Sequence, residues 1–123
     1  MRNATIIAAG FSAILTILAA APAVAGYGAL AHDDETQKYG LSANEDTQSK
    51  ADDVAMKECG GGKCKIVFRM KPRECGAIAT AESGTGWGAG TRPQRAAAEL
   101  AAVNNCQKRT KGQCKVRGAD CNR

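Results

Sequence analysis

The chain has 123 residues, with 17 Lys and Arg against 12 Asp and Glu, six Cys and a single His. That length has room for one domain, and six cysteines in so short a chain form a structural disulfide framework. With one histidine and no thiol to spare there is no Ser/His/Asp or Cys/His set, so the chain is expected to be non-enzymatic.

Arg2, the apolar run 6–21 and the small-x-small sequence Ala23-Val24-Ala25 predict a signal peptide over residues 1–25, cleaved before Gly26. The apolar run falls short of the ~20 residues that a membrane-spanning helix needs. The expectation is a periplasmic or secreted protein with no membrane span after cleavage. Residues 26–123 then form a single cysteine-rich domain. They hold only four aromatic residues, Tyr27, Tyr39, Phe68 and Trp87, so covalent staples must supplement a thin core.

Within this part the chain is written twice. Gly28-Ala29-Leu30-Ala31 returns as Gly76-Ala77-Ile78-Ala79, and Tyr39-Gly40 returns as Trp87-Gly88 at the same offset. Ala51, Val54, Ala55 and Cys59 return as Ala98, Ala101, Ala102 and Cys106; Cys64 then matches Cys114 and Cys75 matches Cys121. The repeats span 27–75 and 76–121, a duplicated supersecondary unit closed around a pseudo-twofold axis.

Each unit has a legible order. In the first, 28–33 is a short apolar strand, the acidic 33–36 a turn, and 39–43 a returning strand. A helix follows, with Asn44 as the expected N-cap, Glu45 and Asp46 at its positive end, and Ala51, Val54, Ala55 and Cys59 on one face. Gly60-Gly61-Gly62 stops it. In the second unit Thr91 is the expected cap, with Pro93 in the first turn and Gln94 at capping-box spacing.

The strand after the first helix has the sharpest pattern. Cys64, Ile66, Phe68 and Met70 alternate with Lys63, Lys65, Arg69, Lys71 and Arg73, interrupted by Val67. Successive side chains point to opposite faces, so one face packs and the other carries a row of cations. Cys114 and Val116 against Lys115 and Arg117 are a shorter copy. The predicted fold is α+β: two pseudo-symmetric β-β-α-β units forming one small disulfide-stapled domain.

Many pairings of Cys59, Cys64, Cys75, Cys106, Cys114 and Cys121 are possible. Cys59–Cys64 and Cys106–Cys114 each close a short helix-to-strand connection, which would leave Cys75–Cys121 to join equivalent points across the axis. The glycine-alanine strands, Tyr39-Gly40, Trp87-Gly88, the alanine-rich helices ending in cysteine and the later cysteines together resemble an exported bacterial family, domain of unknown function 4189. The resemblance runs over essentially 27–121. It implies an exported, disulfide-bonded α+β domain and supplies no catalytic or binding residues.

Three stretches are candidate sites. Asp33, Asp34 and Glu35, beside His32, could give oxygens to a hard cation such as calcium or a trivalent ion, or form a solvated turn. They lack EF-hand spacing, and His32 is expected to be an exposed turn residue. The basic face Lys63, Lys65, Arg69, Lys71, Arg73, joined by Lys108, Arg109 and Lys111, could meet an envelope polyanion or an acidic protein. It could equally guard a strand edge, and without aromatic residues among the cations nucleic acid is not the expected partner. The glycines Gly84, Gly86, Gly88 and Gly90 miss the nucleotide-binding fingerprint and leave a bare face for close helix packing or a ligand.

Charge is unevenly spread: residues 26–58 carry three bases and eight acids, residues 59–123 thirteen bases and four acids. The function expected from this is a non-enzymatic binding module that docks a macromolecular partner, protein or envelope polyanion, through a charge-divided surface. The alternative is a periplasmic metal-binding protein using the acidic turn.

Overall fold

The computed structural model describes residues 26–123, together with Gly10. The predicted leader, 1–25, lies outside the described residues but for that glycine. The element order is β1 (Tyr27–His32), β2 (Tyr39–Glu45), α1 (Gln48–Cys59), β3 (Lys65–Met70), β4 (Cys75–Ala81), β5 (Trp87–Arg92), α2 (Arg95–Gln107) and β6 (Cys114–Cys121). It is the duplicated β-β-α-β order expected from the repeat. The strands form two antiparallel sheets, β2-β1-β3 and β5-β4-β6. β2 runs beside β6 and β3 beside β5, so the edges of one sheet are shielded by the other.

Each central strand is buried on both faces. Ala29 and Ala31 pack on Ala51 and Ala55 of α1 with Cys59 and Cys64. Ala77, Ala79 and Ala81 pack in the same way on Ala98 and Ala102 of α2 with Cys106 and Cys114. By alternation, Leu30 and Ile78 point away from the helices, where they and Met70 are fully buried. Gly76 of β4 lies against Met70 and Phe68 of β3, which places this second core between the sheets. The layers are therefore helix, sheet, sheet, helix.

The repeated aromatic-glycine pair has a steric cause. A Cβ on Gly40 would collide with the backbone of Ala55 and Cys59 in α1, and one on Gly88 with the backbone of Ala102 and Cys106 in α2. Only glycine lets each helix sit this close to its second strand. Gly90 faces Ala101 and Ala98 of α2 for the same reason, so part of the glycine run serves helix packing.

Both helices start later than the caps read from sequence. Thr47, not Asn44, caps α1, its Oγ1 accepting from Lys50 N at 3.1 Å; Asn44 and Glu45 end β2, and no acid lies in the first turn. Thr91 belongs to β5, and Gln94 precedes α2 without a side-chain cap. Gly60 stops α1 in the left-handed conformation, φ 66°, as its composition suggests.

Three disulfides, Cys59–Cys64, Cys106–Cys114 and Cys75–Cys121, use all six cysteines. The first two tie each helix end to the next strand. The third does not cross the axis as expected: Cys75 opens β4 rather than closing the first unit, and its bond to the end of β6 lies within the second sheet, so the second unit starts at Cys75. Apart from the chain running from β3 to β4, the join between the units is noncovalent and includes Asn122, which no sequence pattern singles out. Its Oδ1 accepts from Asn44 N at 2.9 Å, and its Nδ2 donates to Met70 O at 3.2 Å and Lys71 O at 2.8 Å. Buried and fully used, it pins the C-terminus of the second unit across the first.

Candidate functional site

Asp33, Asp34 and Glu35 leave the end of β1 and face the loop between α1 and β3 across an open depression of about 400 Å³, bordered by Gly62, Lys63, Cys64 and Lys65. The three carboxylates do not converge. Asp33 turns inward and is 2 % exposed; its Oδ1 accepts from Glu35 N at 2.9 Å and Thr36 N at 3.2 Å, and its Oδ2 from Lys63 N at 3.3 Å. Burial works to raise the Asp33 carboxyl, but the N–H groups of Glu35, Thr36 and Lys63 and the Thr36 hydroxyl together hold it below its ordinary value. It is a turn cap that joins the two loops.

Asp34 Oδ1 accepts from Trp87 Nε1 at 2.9 Å, and Glu35 pairs with Lys63 Nζ at 2.6 Å. Among the described residues no three His, Cys, Asp or Glu side chains gather as a metal-ligand set. Beyond the turn itself its carboxylates are committed to two residues, Asp33 and Glu35 to Lys63 of their own unit and Asp34 to Trp87 of the other.

His32 corrects the expectation of an exposed turn histidine. It is the last residue of β1, 3 % exposed, and stacks on Trp87 with ring centroids 4.1 Å apart. Nδ1 lies 3.2 Å from Asp34 Oδ1 but out of line for a hydrogen bond, so neither ring nitrogen has a partner in the protein. The guanidinium of Arg109 adds a cation–π contact, 5.1 Å from the indole centroid. At the other seam Tyr39, the counterpart of Trp87, donates from its hydroxyl to Arg117 O at 2.9 Å. Both repeated aromatic residues therefore reach across to the opposite unit.

The cations of β3 do not form one row. Leu30 pairs with Phe68 and Ala31 with Ile66, leaving Val67 as an extra residue. This bulge shifts the alternation: Ile66 packs toward α1, while Phe68 turns between the sheets. Lys65, opposite His32, and Arg69, opposite Ala29, consequently lie on different faces. Arg69 reaches α1, where Nε and Nη2 bond both carboxylate oxygens of Asp52 at 2.9–3.2 Å. Hydrogen bonding to Asp52 and its charge raise the Arg69 guanidinium above its ordinary value. Arg117 is the equivalent bulge in β6, lying between Gly118 and Val116 in the register.

Folding also moves the charge boundary, because β3 brings its cations into the acidic half. The unit 26–74 holds nine acids and eight bases, a net −1; the unit 75–123 holds three acids and eight bases, a net +5. Lys65, Lys71 and Arg73, and Lys108, Lys111 and Lys115 of the second unit, are exposed and make no ion pair among the described residues.

Similarity to known proteins runs over most of the described residues. The solution structure of Rv1813c from Mycobacterium tuberculosis superposes with a TM-score of 0.60 at 27% identity, covering 99% of each chain. The sequences of Rv1813c and of the uncharacterized protein Mb1843c from Mycobacterium bovis are 35% identical to this chain over 86 residues. That match takes in 70% of this chain and 57% of those proteins, so it spans little more than half their length. The model of the family described as Domain of unknown function (DUF4189) matches residues 27–121, and the chain belongs to that family.

Proposed function

We propose that the protein is a non-enzymatic binding module of an oxidising compartment, periplasmic or extracellular, which docks a macromolecular partner through the charge of its second unit. One observation carries the reading: the +5 of that unit is spread over exposed side chains with few acids nearby, whereas the first unit neutralises itself. Surfaces of one sign raise association rates with partners of the other.

Supporting the non-enzymatic part, the lone histidine is enclosed by Trp87 and Asp34, and every described cysteine is in a disulfide. Three disulfides in so small a unit fit an oxidising compartment. No described helix is long and apolar enough to cross a membrane. No feature of the acidic turn favours the cation-binding alternative.

The test is capture of partners from envelope extract on the immobilised, disulfide-bonded protein, with and without chelator and at rising salt. The expected result is a partner retained with chelator and released by salt. Retention that ignores salt, or that needs a metal, contradicts the reading.

A further inference from the structure

The duplication supplies an internal reference for what each helix face needs in order to fold. The buried faces match at a constant offset, Ala51, Ala55 and Cys59 against Ala98, Ala102 and Cys106. At the same offset the outward faces differ. α1 presents Ser49, Lys50, Asp53 and Lys57, whereas α2 has Ala96, Ala97, Leu100 and Asn104. Leu100, in the place of Asp53, is 61% exposed, the most exposed large hydrophobic side chain among the described residues. The fold is satisfied by the charged version, so it does not require the apolar one.

This charge-free strip is bracketed by cations. Arg92 and Arg95 precede it, and Lys108 and Lys111 follow it. The acid between them, Glu99, is paired with Arg95 at 3.3 Å. Two occupants fit poorly. A second copy docking face to face would bring two +5 units together. A protein groove that takes a helix reads several large anchors along one stripe, but α2 offers Leu100 alone, since Val103 packs on the core. A shallow apolar strip with basic ends instead matches a helix lying in the surface of an anionic bilayer.

We propose that α2 is a peripheral docking face for anionic lipid, Leu100 entering the headgroup layer and the flanking cations meeting lipid phosphates. The proposal names the partner of the basic unit and so rests on the binding-module reading above.

It is tested by flotation of the disulfide-bonded protein with phosphatidylglycerol–phosphatidylcholine vesicles and with phosphatidylcholine vesicles. Binding is expected to the first and not to the second. The double substitution Ala97→Lys/Leu100→Asp installs the residues of α1 and leaves net charge unchanged. It is expected to keep the thermal midpoint and lower the vesicle partition about tenfold or more. Lys108→Ala/Lys111→Ala is expected to lower it about 30-fold. No vesicle binding, equal binding to both vesicle types, or wild-type binding by the folded Ala97→Lys/Leu100→Asp protein overturns the proposal. Salt-sensitive capture of a protein without vesicle binding also overturns it, but leaves the binding-module reading standing; absence of both removes the two together.

Discussion

The imidazole of His32 lies against the indole of Trp87, ring centroids 4.1 Å apart with 29° between the planes, across the seam between two units that no disulfide joins. Because the indole N–H is also fixed by Asp34, a single residue carries much of this side of the join. Trp87→Ala is expected to lower unfolding stability by about 3 kcal/mol, and Trp87→Phe, which keeps a ring but loses the N–H, by about 1 kcal/mol. Urea denaturation followed by circular dichroism measures both. Equal losses would show that the hydrogen bond, not the stack, holds the seam.

Close helix docking at Gly40 and Gly88 makes a symmetric prediction. Gly40→Ala and Gly88→Ala each press a methyl group into helix backbone and are expected to cost about 2–3 kcal/mol. Gly62→Ala, with open space around the added carbon, should change stability by less than about 0.5 kcal/mol. Thermal unfolding of the three variants decides the ranking.

The disulfides should rank by the length of chain they close. Cys75–Cys121 spans 46 residues, against 8 for Cys106–Cys114 and 5 for Cys59–Cys64. Chain-entropy arithmetic gives about 4, 2.5 and 2 kcal/mol in that order. Paired Cys→Ser variants unfolded under non-reducing conditions should follow it, with Cys75→Ser/Cys121→Ser the least stable.

Asp33 predicts a pH dependence with a definite sign. Its folded-state carboxyl sits below its unfolded value, so its contribution is complete above the unfolded value, near pH 4, and is lost as pH falls through the folded one. Asp33→Asn cannot ionise. It should therefore be less stable than wild type at neutral pH, and the gap should narrow as pH falls below about 4. A gap independent of pH would mean that the carboxylate charge is not what joins the two loops.

Much of the fold was legible because the chain states it twice. Element order follows from the repeated glycine-alanine strands, and the disulfide pairs follow from cysteine spacing, although symmetry misplaces Cys75–Cys121, which closes the second sheet instead of bridging the units. Three features were hidden, each for a physical reason. Val67 breaks an otherwise regular alternation, and a bulge there is indistinguishable from a single apolar residue on a polar face until the register with β1 is known. His32 is buried by Trp87, a residue 55 positions away that no local pattern links to it. The acidic turn looked like a ligand cluster because its carboxylates are adjacent in sequence. Their actual acceptor roles are set by Lys63 and Trp87, which arrive from elsewhere.

The central claim is that the second unit docks by charge, and the salt dependence of binding tests it most directly. Affinity for the captured partner should fall steadily as salt rises, because exposed charges are screened over ~8–10 Å at physiological strength. Replacing Lys108, Lys111 and Lys115 together by alanine should weaken binding at low salt and flatten that dependence, while the thermal midpoint stays unchanged. An affinity that does not vary with salt, or a triple variant that binds as the wild type does, would contradict the account.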